Sequence, residues 1–389
     1  MQYMDRALPG SSMSQCGRAV QSPTQTLDGH LVSPRLSVVI CSLNGAAGVD
    51  RCLRALARQT IYSCLEIIVC DDGSTDETSK VAHAHGAIVV RHATNRGVSA
   101  ARNSGVNVAS ARILAFLDDD CEPEEQWAEQ LVAGYDKHVV GVGGPLIVSG
   151  RAGFMLGYLA RHNPLQPQEL DLAKSDRVAY RLCLYLKRQW KTTTLSGRRN
   201  VFSFASANMS VRREAFLAVG GLDERFYFGA EDDDLCRRLR LTFPSGHLVF
   251  VPEAKVKHHF KSSLRDTLRR SRAYGRGAAR LYRKWPSVPP VFFPGPIVIL
   301  AMLLLSAYIP SLAVASLAMP ILIYPYGARY AIANRSALSL LDAYVQLAQD
   351  VCGDIGFIEG LWRFRGLVPE AAPETVHAAE PGKQTGLVS

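Results

Sequence analysis

No two of the nine cysteines in this 389-residue chain stand as C-x-x-C. Cys16, Cys41, Cys52, Cys64, Cys70, Cys121, Cys183, Cys236 and Cys352 are scattered, several of them in apolar runs where cysteine acts as a small hydrophobe. That pattern argues against a zinc site and for reduced thiols in a cytosolic domain. No G-x-G-x-x-G follows the first apolar run and no G-x-x-x-x-G-K-[ST] occurs, so the signatures of a nicotinamide dehydrogenase and a P-loop ATPase are both missing. Residues 1–35 lack the apolar core of a secretory leader and read as a flexible lead-in. There is no internal repeat.

Charge is also missing, over one long stretch. From Trp285 to Ala328, 44 residues, not one side chain is charged. Two spans of about 20 residues fit there if the chain turns near Pro310 and Ser311, although Pro320 interrupts the second. The formal net charge of +9 is concentrated just before it, between Lys255 and Lys284, and Arg329 and Arg335 follow directly after. Basic flanks on both sides place both ends in the cytoplasm, which favours a hairpin or re-entrant segment at the inner face of a cell membrane. A buried pair of core helices is the plainer alternative, but soluble helices seldom lack charge for so long. Nucleic-acid binding by the basic run is disfavoured, because only Tyr274 and Tyr282 interleave it as stacking aromatics.

What is present begins at Leu36. Leu36–Cys41, Leu65–Cys70, Ala87–Val90 and Ile113–Leu117 are strand-like runs, with helical patterns between them at 50–59, 77–85 and 99–109. That alternation predicts an α/β domain built on βαβ units with a parallel sheet covered on both faces. Val139–Val148 and Val201–Val211 read as further strands, Ala230–Arg240 as a helix and His247–Val251 as a strand, extending the sheet as a mixed one. The region 151–200 has no readable pattern. The tail beyond Pro369, rich in Ala, Pro and Glu, reads as disordered.

Ligands of open α/β sheets bind beyond the carboxyl ends of the strands. Here those ends carry Asn44, then Asp71 and Asp72, then Asp118, Asp119 and Asp120. Single Asp or Asn residues after strands are common turn formers and caps, and Ser74 and Asp76 fit that role. Three consecutive carboxylates repel one another unless a cation neutralises them, and an oxygen-rich site suits Mg²⁺ or Mn²⁺ bridging to a diphosphate. A second acidic run, Glu231 to Asp234, opens a predicted helix; its dipole favours some of these charges, but four exceed that need, and one is a candidate general base. An aspartate with its ordinary pKa of about 3.9 would be ionised and ready for that role. His258 and His259 end a strand-like stretch, and imidazole suits Mn²⁺.

Taken in order, LSVVICSLNG, LEIIVCDDGSTDET, NRGVSAARNSGV, AFLDDDCEP, GGLDERFYFGAEDDDL and VKHH resemble the inverting family 2 glycosyltransferases of GT-A fold, over about Leu36 to His259. The resemblance implies that Asp72 bonds the nucleotide base, that Asn44 lies beside it, and that Arg102 lies near the nucleotide. Asp118 and Asp120 are the outer members of a D-x-D motif, with Asp119 near the ribose or sugar and Asp120 on the metal, Mn²⁺ or Mg²⁺. Asp232 is similar to the catalytic base and Gly220–Asp223 to the acceptor loop; His258 matches a further metal ligand, with His259 as its rival. The family often has Pro or Thr where Cys41 stands and an aromatic where Leu43 stands. No Gln-x-x-Arg-Trp is present, so single additions are expected instead of polymerisation. The expected organisation is a catalytic domain over 36–260, a basic juxtamembrane helix over 261–284, a membrane hairpin over 285–328, an amphipathic helical segment over 329–368 and the tail. The implied partners are a nucleotide-diphosphate sugar, a glycan or lipid-linked acceptor and a membrane. The competing readings are a polyprenyl-phosphate glycosyltransferase and a non-catalytic sugar-nucleotide binder.

Overall fold

A computed structural model describes residues 26–27, 30–31, 33–190, 195–290 and 292–370. Thr26–Leu27 pairs with His30–Leu31 in a short antiparallel ladder within the unit Met1–Ser33; the rest of the lead-in and the tail beyond 370 lie outside the described residues. From Pro34 onward the chain is one compact unit.

Its centre is a nine-stranded sheet. The strands are β1 (Leu36–Ser42), β2 (Leu65–Asp71), β3 (Ile88–Arg91), β4 (Ile113–Asp118), β6 (Val139–Gly143), β8 (Gln168–Glu169), β9 (Arg199–Ser203), β10 (Met209–Arg212) and β11 (His247–Phe250), in the spatial order β8-β9-β11-β6-β10-β4-β1-β2-β3. Strands β5 (Cys121–Pro123), β7 (Leu146–Ser149) and β12 (Val256–His259) form a separate small sheet, β5-β12-β7. The half from β4 to β3 is parallel, as continuous apolar strands demand, since Val38, Val39, Ile40, Ile68 and Val69 are fully buried. Beyond β4 the pairings are antiparallel except β6 with β11, so the sheet is mixed to a greater degree than the mostly parallel one expected.

Two expected strands are each broken in two. The 139–148 run divides at Gly144 and Pro145: a Cβ on Gly144 would lie 1.9 Å from the Ala254 carbonyl, and Pro145 has no N–H to give the ladder, so the chain passes from the main sheet to the small one. The 201–211 run is interrupted by a tight turn at Ser206–Asn208.

Helices α1 (Ala46–Leu56), α2 (Thr78–Ala84), α3 (Val98–Val108), α4 (Trp127–Ala133), α7 (Arg213–Ala218) and α8 (Glu231–Thr242) belong to this layered domain. The region 151–200 folds as α5 (Phe154–Arg161), β8 and α6 (Val178–Trp190). The C-terminal part is helical: α9 (Leu264–Lys284), α10 (Pro294–Leu305), α11 (Ser311–Ile323), α12 (Pro325–Asn334) and α13 (Asp342–Arg363). Within the uncharged stretch α10 and α11 are joined at Ser306–Pro310, a few residues earlier than the turn expected at Pro310 and Ser311. Among the described residues no single helix is long and apolar enough to cross a membrane; α11 and α12 together are, but they bend by 71° at their junction.

Helices α9 and α13 pack unusually closely because glycines line the seam. A Cβ on Gly275 would lie 2.1 Å from the Gly353 carbonyl, and one on Gly356 2.0 Å from the Arg272 carbonyl. The basic run on α9 is only partly solvent-facing. Arg272 and Arg276 pair with Glu359 of α13, and Lys284, 2% exposed, is held by Asp223 and Asp234, each at 2.8 Å. Part of the basic run is therefore paired within the protein, with Lys284 fully internal and the Arg272 and Arg276 pairs at the surface. Glu370, at the start of the expected disordered tail, donates its N–H to the Lys284 carbonyl at 2.9 Å.

Candidate active site

The carboxyl ends of β1, β2 and β4 form one rim, and the expected polar residues gather there. Asn44 has a left-handed backbone (φ 54°), and its side-chain oxygen accepts from Thr75 N–H at 2.8 Å while its own N–H donates to Ser74 Oγ. Asp76 reaches the N–H of Ala46, 3.1 Å away, as well as that of Thr78, so one carboxylate serves the first turns of both α1 and α2. Asp72 is buried, and its oxygens accept from Arg96 N–H, Gly97 N–H and the His92 ring at 2.9, 2.8 and 2.6 Å. The chain thus fills most of the capacity that the resemblance assigned to the nucleotide base, and Asp72 organises the wall of the site. Leu43 is exposed beside it.

The three aspartates after β4 separate into three environments. Asp118 accepts from Arg102 Nη2 at 2.6 Å. Asp119 accepts from the Ser42 hydroxyl, and burial pushes its pKa up to about 6. Asp120 rises further, to about 8, through burial and the nearby charges of Asp118 and Asp119. Its Oδ1 lies 3.3 Å from His258 Nε2, and both this oxygen and His258 Nδ1 are buried without a hydrogen-bond partner among the described residues. Burial holds His258 down at about 4, so the ring is neutral at pH 7 with a lone pair to offer. Strand alternation turns His259 the other way, onto Glu122 at 2.7 Å, which makes His258 the better placed of the two. Cys121 shares the cluster with Asp120 and His258, but burial raises its thiol pKa well above the ordinary value, so it stays protonated. Asp120 and His258 are the pair that fits a hard divalent cation, since orphaned buried acceptors are what an ion would satisfy.

Arg102, expected near the nucleotide, lies beneath the rim. It is 1% exposed and donates to Asp118 at 2.6 Å and to Glu231 Oε1 at 3.0 Å. Its fork joins the end of β4 to the N-terminus of α8, which is how carboxylates over a hundred residues apart come together. Burial alone would depress the guanidinium; Cys41, Asp118 and Glu231 around it outweigh that and raise it.

The acidic quartet of α8 is divided in the same way. Glu231 takes Arg102; Asp233 takes Ser203 and Gln168; Asp234 takes Arg238, Lys284 and the Trp285 ring N–H. Among the described residues, Asp232 alone of the four accepts only from backbone, from Ser206 N–H at 3.1 Å and Asp233 N–H at 2.9 Å. Burial, then Glu231 and Asp233, raises its pKa well above the usual carboxylate range, contrary to the ordinary value expected from sequence. Asp223 of the expected acceptor loop is committed to Arg225 and Lys284, and so is structural.

Sequence reasoning missed the contribution of α9. Tyr274 feels the charges of Asp232, Asp118 and Glu231 and is pushed up mainly by burial, and Arg270 acts on both Asp120 and His258. Phe228, exposed at the edge of the site, stacks on Tyr274 with ring centroids 6.0 Å apart. The position of Arg270 and Tyr274 within a run read as a basic juxtamembrane helix hid them.

Residues 37–220 match the model of glycosyl transferase family 2, and residues 160–332 that of glycosyl transferase family group 2. The chain belongs to glycosyltransferase family 2. It is 31% identical over 272 residues to the pre-mycofactocin glycosyltransferase of Mycobacterium tuberculosis, covering 67% of this chain and 52% of that one. It is 29% identical over 240 residues to the glucosyl-dolichyl phosphate glucuronosyltransferase of Haloferax volcanii, covering 58% of this chain and 69% of that one. A solved mannosyltransferase from Pyrobaculum calidifontis aligns with 85% of this chain and 88% of its own, at 19% identity and a TM-score of 0.49. The chain spans about half the length of the mycobacterial relative.

Proposed function

We propose that this chain is a membrane-associated, inverting glycosyltransferase. It moves a sugar from a nucleotide-diphosphate donor to a hydroxyl of a lipid-linked or envelope-polysaccharide acceptor, with the catalytic domain on the cytoplasmic side. The observation that carries the reading is the Arg102 bridge, which sets the carboxylates after β4 beside an α8 N-terminus where only Asp232 lacks a side-chain partner among the described residues.

In this reading Asp232 accepts the acceptor hydroxyl's proton as that oxygen attacks the anomeric carbon. A carboxyl raised above its usual range is the stronger base once ionised, and transfer should accelerate as pH rises through its pKa. Asp120 and His258 would hold Mn²⁺ or Mg²⁺, which when bound supplies positive charge against the departing diphosphate. Asp119, fixed by Ser42, borders the donor, and Asp118 is kept in place by Arg102. The lipid-linked acceptor draws support from the Haloferax relative, which by its name acts on a glucosyl-dolichyl phosphate.

The test begins with a panel of sugar nucleotides, with and without Mn²⁺, followed by thermal shift; a donor at a hundred times its Kd stabilises the native state by about 2.7 kcal/mol. Asp232→Asn should keep that stabilisation and lose transfer. Transfer at the wild-type rate by this variant removes Asp232 as the base. A wild-type protein that neither binds nor turns over any donor in the panel ends the glycosyltransferase reading.

A further inference from the structure

Helix α6 is amphipathic in the wrong sense for a water-facing helix. Val178, Leu182, Leu186 and Trp190 stand four residues apart and share one face, and each is 40–60% exposed. Two of its polar groups point inward: the Tyr185 hydroxyl donates to buried Asp350 at 2.6 Å, and the Arg181 guanidinium sits over the Phe202 ring. A soluble helix buries the apolar stripe and wets the polar one. The Tyr185 ring also packs against Phe293 at the foot of α10, 5.6 Å between centroids, and Arg329 of α12 donates to the Trp190 carbonyl at 2.7 Å. Helix α6 is thus tied to the elements that carry the uncharged hairpin, where Leu304, Val314, Leu317 and Leu322 are all about two-thirds or more exposed.

The apolar faces end in the same way. Exposed Lys187 and Arg188 flank Trp190, exposed Arg329 and Arg335 flank Ile332, and exposed Arg363 and Arg365 flank Trp362. Tryptophan beside arginine or lysine at the end of an apolar surface suits the headgroup layer of an anionic bilayer. The lengths are also informative. At 1.5 Å per residue α10 and α11 reach about 18 and 20 Å, well short of the roughly 30 Å hydrocarbon core but ample for one leaflet.

Building on the membrane reading above, we propose that α6 and the α10–α11 hairpin form one face that lies in a single leaflet of an anionic bilayer without crossing it. The region 151–200 then contributes directly to docking, and the acidic centre is held at the headgroup level where a lipid-linked acceptor presents its sugar.

The full chain, purified in detergent, is mixed with preformed vesicles of phosphatidylglycerol and phosphatidylcholine or of phosphatidylcholine alone, and binding is read by flotation. Leu182→Glu with Leu186→Glu should weaken binding to anionic vesicles at least tenfold, and brominated lipid should quench Trp190, identified by subtracting Trp190→Phe. If the α6 variant floats like wild type and Trp190 is not quenched, while Leu304→Glu with Leu317→Glu abolishes binding, α6 is excluded from the face. If none of the variants changes flotation, the membrane reading itself fails. Loss of a dimer in detergent by the α6 variant, with vesicle binding intact, would show that a second copy covers the stripe. With an impermeant maleimide trapped in the vesicle lumen, Ser311→Cys should remain unlabelled; labelling shows that the hairpin crosses and overturns the single-leaflet insertion.

Discussion

Arg102→Met removes the cation that holds the two acidic elements together, and its cost can be worked from the contacts. The guanidinium is 1% exposed and makes two charge-assisted hydrogen bonds, at 2.6 Å to Asp118 and 3.0 Å to Glu231. Breaking a buried pair from one side costs about 3–5 kcal/mol, because the remaining charges stay desolvated without compensation. Most of that falls on Glu231, whose side chain is 8% exposed, since water screens the 32%-exposed Asp118. At a few degrees per kcal/mol, Tm should fall by roughly 10 °C. Arg102→Lys keeps the charge but lacks the fork that reaches both carboxylates, so it should recover part of the loss and not all of it. Differential scanning fluorimetry, paired with a donor-binding titration, separates the two roles open to this residue. An unchanged Tm with a donor affinity weakened tenfold or more would mean that Arg102 contacts the nucleotide, and the bridge would carry nothing.

Asp350 accepts hydroxyls from Tyr185 and Tyr324, and burial raises its pKa to about 6. An acid raised on folding loses stability as pH rises from its unfolded value near 4 to its folded value, here by about 3 kcal/mol; Asp350→Asn should flatten chemical-denaturation stability between pH 4 and 6 relative to wild type, and parallel curves would refute this. Gly45→Ala would place a Cβ 1.9 Å from Asp119 Oδ2, so it should cut kcat/KM at least tenfold while costing only about 1–3 kcal/mol in urea unfolding. Gly356→Val sets a side chain against the Arg272 carbonyl of α9, and unfolding should show a loss of about 2–3 kcal/mol, with the α9–α13 seam becoming the first region to exchange amide hydrogens.

The parts of this fold that the sequence announces are those whose causes are local. Strands β1, β2 and β4 begin where expected and end one residue beyond, because buried parallel strands are uninterrupted apolar runs and turn residues bound them. Helix α1 begins at Ala46 and not at Asp50, for a reason thirty residues away: Asp76 satisfies the Ala46 N–H. The bridge made by Arg102 was not legible because Glu231, one of its partners, is 129 positions distant. Lys284 read as one more charge of the basic juxtamembrane helix for the same reason, its carboxylates being Asp223 and Asp234. The choice between His258 and His259 waited on which face of β12 meets Asp120. Charge pattern along a chain indicates which residues need partners; only the topology decides whether protein or ligand supplies them.

That topology gives α9 a particular mechanical position. Its C-terminal Lys284 grips Asp223 and Asp234, nine residues before and two residues after Asp232, so that one ammonium spans the start of α8. One turn and more earlier, a Cβ on Gly277 would lie 2.6 Å from the Gly229 carbonyl, in the loop that leads into α8, so the two backbones are in direct contact. On its other side Gly275 meets Gly353 of α13, the helix against which α10 and α11 pack. Close-packed glycine seams leave no side chains to re-rotamerise, so such contacts transmit displacement instead of absorbing it. A force on the apolar hairpin therefore reaches the α8 N-terminus through α13 and α9 with little slack. This is the arrangement needed if the height of Asp232 above an apolar surface is to be fixed, and the buried Lys284 is the part of α9 that supplies the grip.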